Sequence, residues 1–376
     1  MKGQWIGKAT GANDGLIVVN IDEMPSHFQG MVYLNEANPL LPSIAAAFKT
    51  KNRSNSFELR TDFILPIHPH TGLPVYWDTI KQFYGEGIFV PKFADVKGNL
   101  DNDSLKLSWT TEDGRKGECL LPKSKADKPS ELVPESIKEA ITGWAKYKEY
   151  VAGLEGRRLL FRGQNEPWRL RTSFHRAGRA DLTRFLNEDI QALHRHLSAK
   201  TKHLFNLDNP KENGAFFSLV QHHGYPTPLL DWTFSPYVAA FFAYRGISSK
   251  MARVSNQTKK VRILVFNQEK WKNDWIQLKM LTPASLHLSI EEFLAVENER
   301  VIPQQAASTV TNIDDVESYI KARESDDKKY LWAIDLPVRD RDQVVRELSY
   351  MGITAGSLFP GLDGACEELK ERNFDI

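Results

Sequence analysis

The sequence contains only two cysteines in 376 residues, Cys119 and Cys366, and they lie far apart in the chain. A disulfide framework is therefore not expected, and so sparse a use of cysteine favours a reducing, cytoplasmic compartment. No apolar run approaches the length that spans a bilayer, so we expect no membrane association. Residues 1–3 lead directly into a strand-like run, which argues against a secretory signal peptide.

The sequence also lacks a charge excess, an internal repeat and a set of residues at metal-ligand spacing. The net charge of +1 predicts no global attraction to nucleic acid. His222 and His223 are adjacent, so they cannot face one ligand from a regular helix, and no cysteine or third histidine lies at metal spacing. No clustered Asp/Glu metal site stands out either. We therefore expect no metal, and nuclease chemistry is disfavoured.

Local charge is less even than the total. Residues 157–184 contain two acids, Glu166 and Asp181, and no lysine. One interpretation is a solvated surface with scattered salt bridges. The other is a surface that faces phosphate and accepts RNA or DNA, because arginine binds phosphate in bidentate fashion. The eight arginines are at positions 157, 158, 162, 169, 171, 176, 179 and 184.

The apolar pattern predicts an α+β protein with two parts joined by a linker. Residues 1–122 are predicted to form a small β barrel or sandwich, because Asn13-Asp14-Gly15 and Asp113-Gly114 each separate two apolar, strand-like runs. One helix is predicted over residues 41–48. The polar segment 123–135, which includes two prolines, is predicted to be the linker.

Residues 136–376 are predicted to form a mixed domain. Helical spacing predicts helices that begin near Ala140 and at 182, 216 and 344. Residues 159–161, 261–266 and 331–336 are predicted strands, the last two central in a sheet. Ser235 suits the N-cap of a further helix with Pro236 in its first turn. That helix, 237–244, is apolar all round and must be buried.

Arg162 ends an apolar strand, where an unpaired charge would cost several kcal/mol, on the order of a domain's whole stability. One interpretation is an internal ion pair, for example with Asp231. The other is an arginine that binds a pyrophosphate. Gly163 would then let the ligand approach the backbone, and Gln164 would be the next polar group of the site.

Three further sets of residues each have two interpretations. His222 and His223 lie at a predicted helix end, and we expect one to be structural and the other to bond a ribose or orient a substrate. Trp232 either stacks on a nicotinamide or adenine ring or packs in the core. The last group caps a helix or forms an anion site at its N-terminus. Its members are Asp231, Thr233 and Ser235.

Glu297 and Glu299 are two residues apart and would share one side of a strand. They form either an exposed edge or loop, or a carboxylate that faces developing positive charge.

Several segments of residues 137–376 together resemble the FRG domain, a family named for its Phe-Arg-Gly motif. Two positions depart from the family pattern: Pro228 stands where the family often has arginine, and Ala306 where it often has glycine. The segments are Phe161-Arg162-Gly163-Gln164, Trp168 to Ser173, Gln221 to Ala243 with Leu229-Leu230-Asp231-Trp232-Thr233 at its centre, Arg300 with Gln304-Gln305, and Leu358 to Gly364.

The order of these features is also similar to the arginine, serine and glutamate series of the ADP-ribosyltransferases. That resemblance implies a split antiparallel sheet with flanking helices and NAD as the substrate. It implies catalytic roles for Arg162 and for either Glu299 or Gln305, with His223 as a further candidate.

The expected function is therefore an ADP-ribosyltransferase-like toxin or effector, in bacterial anti-phage defence, that modifies a nucleic acid or a protein. An antitoxin or regulatory protein is a possible partner. The alternative is a non-catalytic module that senses or binds a nucleotide or nucleic acid.

Overall fold

The computed structural model describes residues 1–12, 14–101, 103–134, 141–255 and 258–374, and these form an α+β protein with two antiparallel sheets. A short helix, α1 (Trp77–Ile80), and a 3-10 turn lie between the sixth and seventh strands. The strands of the first sheet are β1 (Gly3–Gly11), β2 (Gly15–Glu23), β3 (Phe28–Glu36), β4 (Ile44–Lys49), β5 (Ser56–Arg60), β6 (Phe63–Pro66), β7 (Ala94–Asp101), β8 (Ser104–Thr111) and β9 (Lys116–Pro122).

Both hairpins predicted from the sequence are present. β1 pairs with β2, and β8 pairs with β9 across the Asp113-Gly114 turn. Asn13, part of the first predicted turn, lies outside the described residues. The helix predicted over 41–48 is wrong, because Ile44–Lys49 is a strand that pairs with β3 on one side and β6 on the other. Pairing on both sides overrides the helix propensity of its three alanines.

The first sheet is curled into a half-barrel. Its order is β5-β7-β8-β9-β1-β2-β3-β4-β6, so β5 and β6 lie at opposite edges although only Thr61 and Asp62 separate them. The amide of Thr61 donates to the carbonyl of Ala94 in β7 at 3.0 Å, and that of Asp62 donates to the carbonyl of Ala47 in β4 at 2.9 Å. This corner therefore links the two edges. The apolar cluster inside includes Trp5, Val19, Phe48, Leu107 and Leu121.

The second sheet has the order β13-β14-β11-β10-β12-β15. Its strands are β10 (Leu159–Gln164), β11 (Leu229–Thr233), β12 (Lys260–Asn267), β13 (Leu288–Glu291), β14 (Ala306–Thr311) and β15 (Leu331–Pro337). The helices around it are α2 (Trp144–Ala152), α3 (Ser173–Arg176), α4 (Leu182–Arg184), α5 (Ile190–Leu197), α6 (Pro210–His222), α7 (Pro236–Tyr244), α8 (Ser249–Val254), α9 (Gln268–Asp274), α10 (Val316–Lys321), α11 (Arg341–Tyr350), α12 (Ala355–Leu358) and α13 (Leu362–Phe374). None of the described helices is both long and apolar enough to cross a membrane.

The predicted elements of this half are largely confirmed. The helix predicted from Ala140 onward begins at Trp144, and Ala140 itself lies outside the described residues. The helix predicted from residue 182 contains a π-helical turn, Phe185–Asp189, between α4 and α5. β12 is an inner strand as expected, but β15 is at an edge and not central. Its buried side chains, Leu331, Ala333 and Leu336 among them, are covered by helices and explain why its sequence is so apolar.

Helix α7 is buried against β10, as its apolar sequence predicts. Ser235 caps it, since its hydroxyl accepts a hydrogen bond from the amide of Val238 at 3.2 Å. Gly163 allows the close approach: a Cβ there would be 1.9 Å from the carbonyl oxygen of Ala239 and 2.5 Å from the amide nitrogen of Ala243. The backbone that approaches Gly163 is therefore that of α7, where the sequence had suggested a ligand.

The two halves share a polar contact. The carboxylate of Asp22 in β2 is fully buried and accepts hydrogen bonds from the side chains of Arg179 and Arg184 and from the amides of Ala180 and Asp181. The predicted linker is also bonded to the second half. Within it, Pro129 forms a β-bridge with Trp168, Pro134 forms one with Ala333, and Asp127 pairs with Arg171.

Candidate active site

β10 and β11 pair at one position, Phe161 with Thr233, and no further backbone ladder joins these two strands among the described residues. A cleft of about 300 Å³ lies beside this point. It is bounded by both strands, by α6 and α7, by the turn over residues 296–305 and by the residue after α12. The lining residues are Phe161, Arg162, Gly163, Gln221, His222, Asp231, Trp232, Thr233, Phe242, Arg300, Gln304, Ala306 and Phe359.

Arg162 is half-buried in the wall of this cleft. It bonds the backbone carbonyl of Asp231, and its Nε is buried without a hydrogen-bond partner among the described residues. Burial lowers the pKa of Arg162, an effect that nearby Asp231 opposes and Arg176 reinforces. The hydrogen bond to Asp231 uses one Nη1 donor, and no ion pair of Arg162 is present among the described residues, so the guanidinium keeps further donors for an anionic ligand.

Asp231 supplies the carboxylate of the cleft lining. It accepts a hydrogen bond from the amide nitrogen of Gln221, whose amide oxygen in turn accepts one from the buried hydroxyl of Thr227. Because Thr227 donates to the oxygen, the amide nitrogen of Gln221 must face Asp231. The relay orients an exposed carboxylate at the point where the strands part.

His222 contributes a neutral imidazole. Burial lowers its pKa, although Asp231 raises it again in part. The side-chain amide of Asn298 donates to Nδ1, so the neutral ring carries its proton on Nε2. The carbonyl of His222 accepts a hydrogen bond from Arg300 at 2.9 Å, which joins the end of α6 to the 296–305 turn.

The opposite wall is aromatic. The rings of Phe242 and Phe359 meet edge to face with their centroids 5.9 Å apart. The guanidinium of Arg300 lies 5.3 Å from the centroid of Phe359. The side-chain amide of Gln304 donates to the carbonyl of Leu358 at 2.9 Å and so fastens this wall to the 296–305 turn.

The structure brings six of the predicted site residues to the cleft, but three of these, Gly163, Trp232 and Thr233, are chiefly structural. Trp232 is buried, packs on Phe266 at 5.5 Å and donates its indole N–H to Thr309, which favours the core-packing interpretation. The hydroxyl of Thr233 donates to the carbonyl of Gln304 at 2.7 Å and accepts from the amide of Ser235. The six residues are Arg162, Gly163, His222, Asp231, Trp232 and Thr233.

Five predicted residues do not line the cleft. Gln164 is buried, and its side-chain oxygen has no hydrogen-bond partner among the described residues. Ser235 is buried as the cap of α7. His223, at the C-cap of α6, is exposed, as are Glu299 and Gln305.

Glu297 and Glu299 lie in a loop, which was one of the alternatives considered, and not on a strand, since residues 292–305 form loop and turns between β13 and β14. Glu297 and Gln305 have left-handed backbone conformations, with φ of 53° and 47°. The turn presents Gln304 to the cleft and Gln305 to the surface.

Seven lining residues were not predicted as site residues. Six of them belong to the segments that carry the FRG resemblance, and the seventh, Ala306, is a position that departs from the family pattern. The six are Phe161, Gln221, Phe242, Arg300, Gln304 and Phe359. The sequence signal that could have identified these residues was therefore the family motif itself, with each of its polar and aromatic positions considered as a site residue.

The arginine-rich stretch is not one continuous surface. Six of its eight arginines pair with acids. Arg162 and Arg176 instead bond backbone carbonyls, and within the described ranges neither has a carboxylate partner within 4 Å. The pairs are Arg157 with Glu292, Arg158 with Glu269, Arg169 with Asp315, Arg171 with Asp314, Arg179 with Asp22, and Arg184 with Glu188.

Comparison with known proteins finds a match to one domain family. A model of the FRG domain matches residues 157–252, the segment that contains β10, β11 and α7. No curated protein matches the chain. Among solved structures, a redesigned β barrel is similar at 12% identity over 33% of this chain and 90% of its own, with a TM-score of 0.23. So low a score bears on neither fold nor function.

Proposed function

We propose that the cleft binds NAD and cleaves its nicotinamide–ribose bond, as an ADP-ribosyltransferase does. One observation carries the proposal: where β10 and β11 part, an incompletely bonded arginine and an oriented carboxylate flank the same cleft. A site for this reaction must hold a diphosphate, stack a leaving ring and offer negative charge beside the ribose. These three groups are available within one cavity.

The binding roles follow from charge and shape. Arg162 and Arg300 suit the diphosphate, because guanidinium groups bind phosphate oxygens in bidentate fashion. Phe242 and Phe359 suit a planar ring. A volume of about 300 Å³ is at the small end of ligand pockets, so the nicotinamide ribose phosphate fits inside and the adenosine extends outward.

In the proposed reaction, the bond between ribose C1′ and the nicotinamide nitrogen breaks, and both electrons leave with nicotinamide. The ribose becomes oxocarbenium-like, and the Asp231 carboxylate stabilises that charge. A lone pair of the acceptor then bonds to C1′, and the acceptor loses a proton. Water as the acceptor gives ADP-ribose, whereas a nucleic acid or protein acceptor gives a modified product.

Assigning the carboxylate to Asp231 separates this proposal from one based on Glu299. NAD labelled in nicotinamide is incubated with the full chain, and released nicotinamide is measured. We expect Asp231→Asn, which keeps the shape of the side chain, to lower kcat about a hundredfold. We expect Glu299→Gln to leave kcat unchanged, because Glu299 is exposed and does not line the cleft.

Arg162→Met provides a second arm. It removes one hydrogen bond to the carbonyl of Asp231 and no ion pair within the described residues, so the fold should survive while KM for NAD rises about tenfold. Loss of the folded state on a circular dichroism melt would make Arg162 a structural residue instead.

Three results would contradict the proposal. Loss of activity in Glu299→Gln with full activity in Asp231→Asn returns the catalytic role to Glu299. An NAD-induced rise in melting temperature without nicotinamide release identifies a nucleotide-binding module. If the protein neither binds NAD nor releases nicotinamide, NAD is excluded as its ligand.

We also propose that the activity serves as a toxin or effector in anti-phage defence, on a nucleic acid or protein acceptor. This part rests on the family resemblance, and bacterial growth on expression of the wild type and of Asp231→Asn tests it.

A further inference from the structure

Helix α13 is attached to the protein mainly by polar contacts. Gly364 is its only buried residue among those described, and two cavities of about 360 and 240 Å³ lie between α13 and the helices beneath it. Two successive turns of α13 instead present three glutamates to the body of the protein. Glu367 pairs with Arg245, Glu368 accepts from the hydroxyl of Thr354, and Glu371 pairs with Arg341.

One of these attachments leads to the cleft. Arg245 follows α7, and Glu367 holds it with two parallel hydrogen bonds of 2.6 and 2.7 Å. The guanidinium of Arg245 lies 4.1 Å from the centroid of Phe359, within the range of a cation–π contact. Phe359 is a cleft wall, so the chain of contacts runs from α13 through Arg245 to the site.

Two arginines, Arg245 and Arg300, therefore hold the ring of Phe359 in position. Arg300 belongs to the cleft, whereas Arg245 belongs to the attachment of α13. A free arginine side chain samples many rotamers, and fixing it costs conformational entropy. The bidentate pair with Glu367 restrains Arg245 in advance, which keeps it over the ring.

We propose that Glu367 is a positioning residue for the cleft: through Arg245 it fixes Phe359, so that α13 sets the affinity of the site for a ligand with a planar ring. The proposal rests on the proposed function only in taking NAD as that ligand. Glu367 does not line the cleft. Glu367 also lies outside residues 157–252, the segment that the FRG model matches.

The experiment compares Glu367→Gln with Glu371→Gln in the full chain. Both changes remove one charge from α13 and weaken one arginine pair, but the partner of Glu371 makes no contact with Phe359 in the described structure. We expect Glu367→Gln to raise KM for NAD about fivefold, the effect of one lost cation–π contact, with kcat unchanged. Hydrogen exchange of amides 355–361 should quicken in Glu367→Gln and not in Glu371→Gln.

A charge swap, Arg245→Glu with Glu367→Arg, separates the ring contact from the attachment of the helix. It restores an ion pair between α7 and α13 but puts a carboxylate beside the ring. We expect exchange in α13 to return to the wild-type rate while KM stays raised.

Two outcomes would overturn the inference. Equal effects of Glu367→Gln and Glu371→Gln on KM and exchange would show general loosening, and recovery of KM by the swap would exclude the route through Phe359. If the wild type neither binds nor cleaves NAD, the proposed function fails, and exchange at 355–361 still decides whether Glu367 positions the wall.

Discussion

His175 is a fully buried imidazole with one satisfied ring nitrogen. Its Nδ1 lies 2.7 Å from the hydroxyl of Thr172, while Nε2 has no partner among the described residues. Burial lowers the pKa of His175 to about 3, and Arg171 adds to this effect. His287 is also buried with an Nε2 that has no partner among the described residues, and burial lowers its pKa to about 4. The folded state therefore resists protonation that the unfolded chain accepts.

We predict that acid destabilises the protein through these histidines. Between about pH 6.5 and pH 3 the unfolded chain binds more protons, so the free energy of unfolding falls as pH falls. For His175 the loss between pH 7.5 and pH 5 is about 2 kcal/mol, because a pKa of about 3 keeps the folded ring neutral at both values. His175→Asn should reduce the pH dependence by that amount in urea unfolding. An unchanged slope would show that His175 does not titrate on unfolding.

At the residue scale the sequence identified half of the cleft. Arg162, His222 and Asp231 stood out because charged or polar groups beside apolar runs need partners. Gln304 and Gln305 are chemically identical neighbours, and only a left-handed turn decides which of them faces the cleft. No local pattern encodes that turn, since neither residue with positive φ is glycine.

At the element scale, the contact between β10 and α7 depends on one glycine. We predict that Gly163→Ala lowers the free energy of unfolding by about 1–3 kcal/mol, because the added Cβ would be 1.9 Å from the carbonyl oxygen of Ala239. The Ala239 carbonyl oxygen and the Ala243 amide nitrogen, which would both clash with this Cβ, are backbone atoms, so no side chain can rotate away. Thermal and urea unfolding measure the loss.

Gly85→Ala is the matched control for this change. A Cβ at Gly85 meets no heavy atom within 4 Å, so unfolding should be unaffected. Equal stability of the two variants would mean that α7 can move away from β10 without cost.

Elements were predictable where the signal is local. The hairpins follow from Asp-Gly turns, and α7 from a capping serine followed by proline. The strand Ile44–Lys49 was missed because its three alanines favour a helix until β3 and β6 pair with it. The position of β15 at an edge was missed because helices bury it as thoroughly as a central strand.

At the scale of the molecule, Asp22 joins the two halves. Its carboxylate is fully buried, whereas its partners Arg179 and Arg184 are partly exposed. We predict that Asp22→Asn lowers the free energy of unfolding by about 3 kcal/mol, because both guanidiniums lose a buried charge partner. Chemical denaturation measures the change.

Asp95→Asn serves as the control, since Asp95 forms an exposed pair with Arg60. No measurable change is expected there. If Asp22→Asn proves equally silent, the contact between the halves adds no stability.

The sequence did not indicate this contact. Asp22 lies near the end of an apolar strand, β2, and its partners are more than 150 positions away. The sequence predicted a small barrel or sandwich, and the half-barrel agrees with the first of these, but its closure through the pairing of β1 with β9 and its two-residue corner were not predicted. Long-range pairing of this kind leaves no periodic trace.

The same long-range pairing determines when the protein becomes complete during its synthesis. β1 cannot complete its pairing until β9 has been synthesised, and Gln4 of β1 forms hydrogen bonds with Asn312 and Asp314. The cleft likewise requires Phe359 as well as Arg162. Domains fold as units while the chain emerges at about 5–20 residues per second, so the nascent polypeptide spends most of its time on the ribosome without a finished cleft. Any activity of the cleft therefore begins only after residue 359 has emerged.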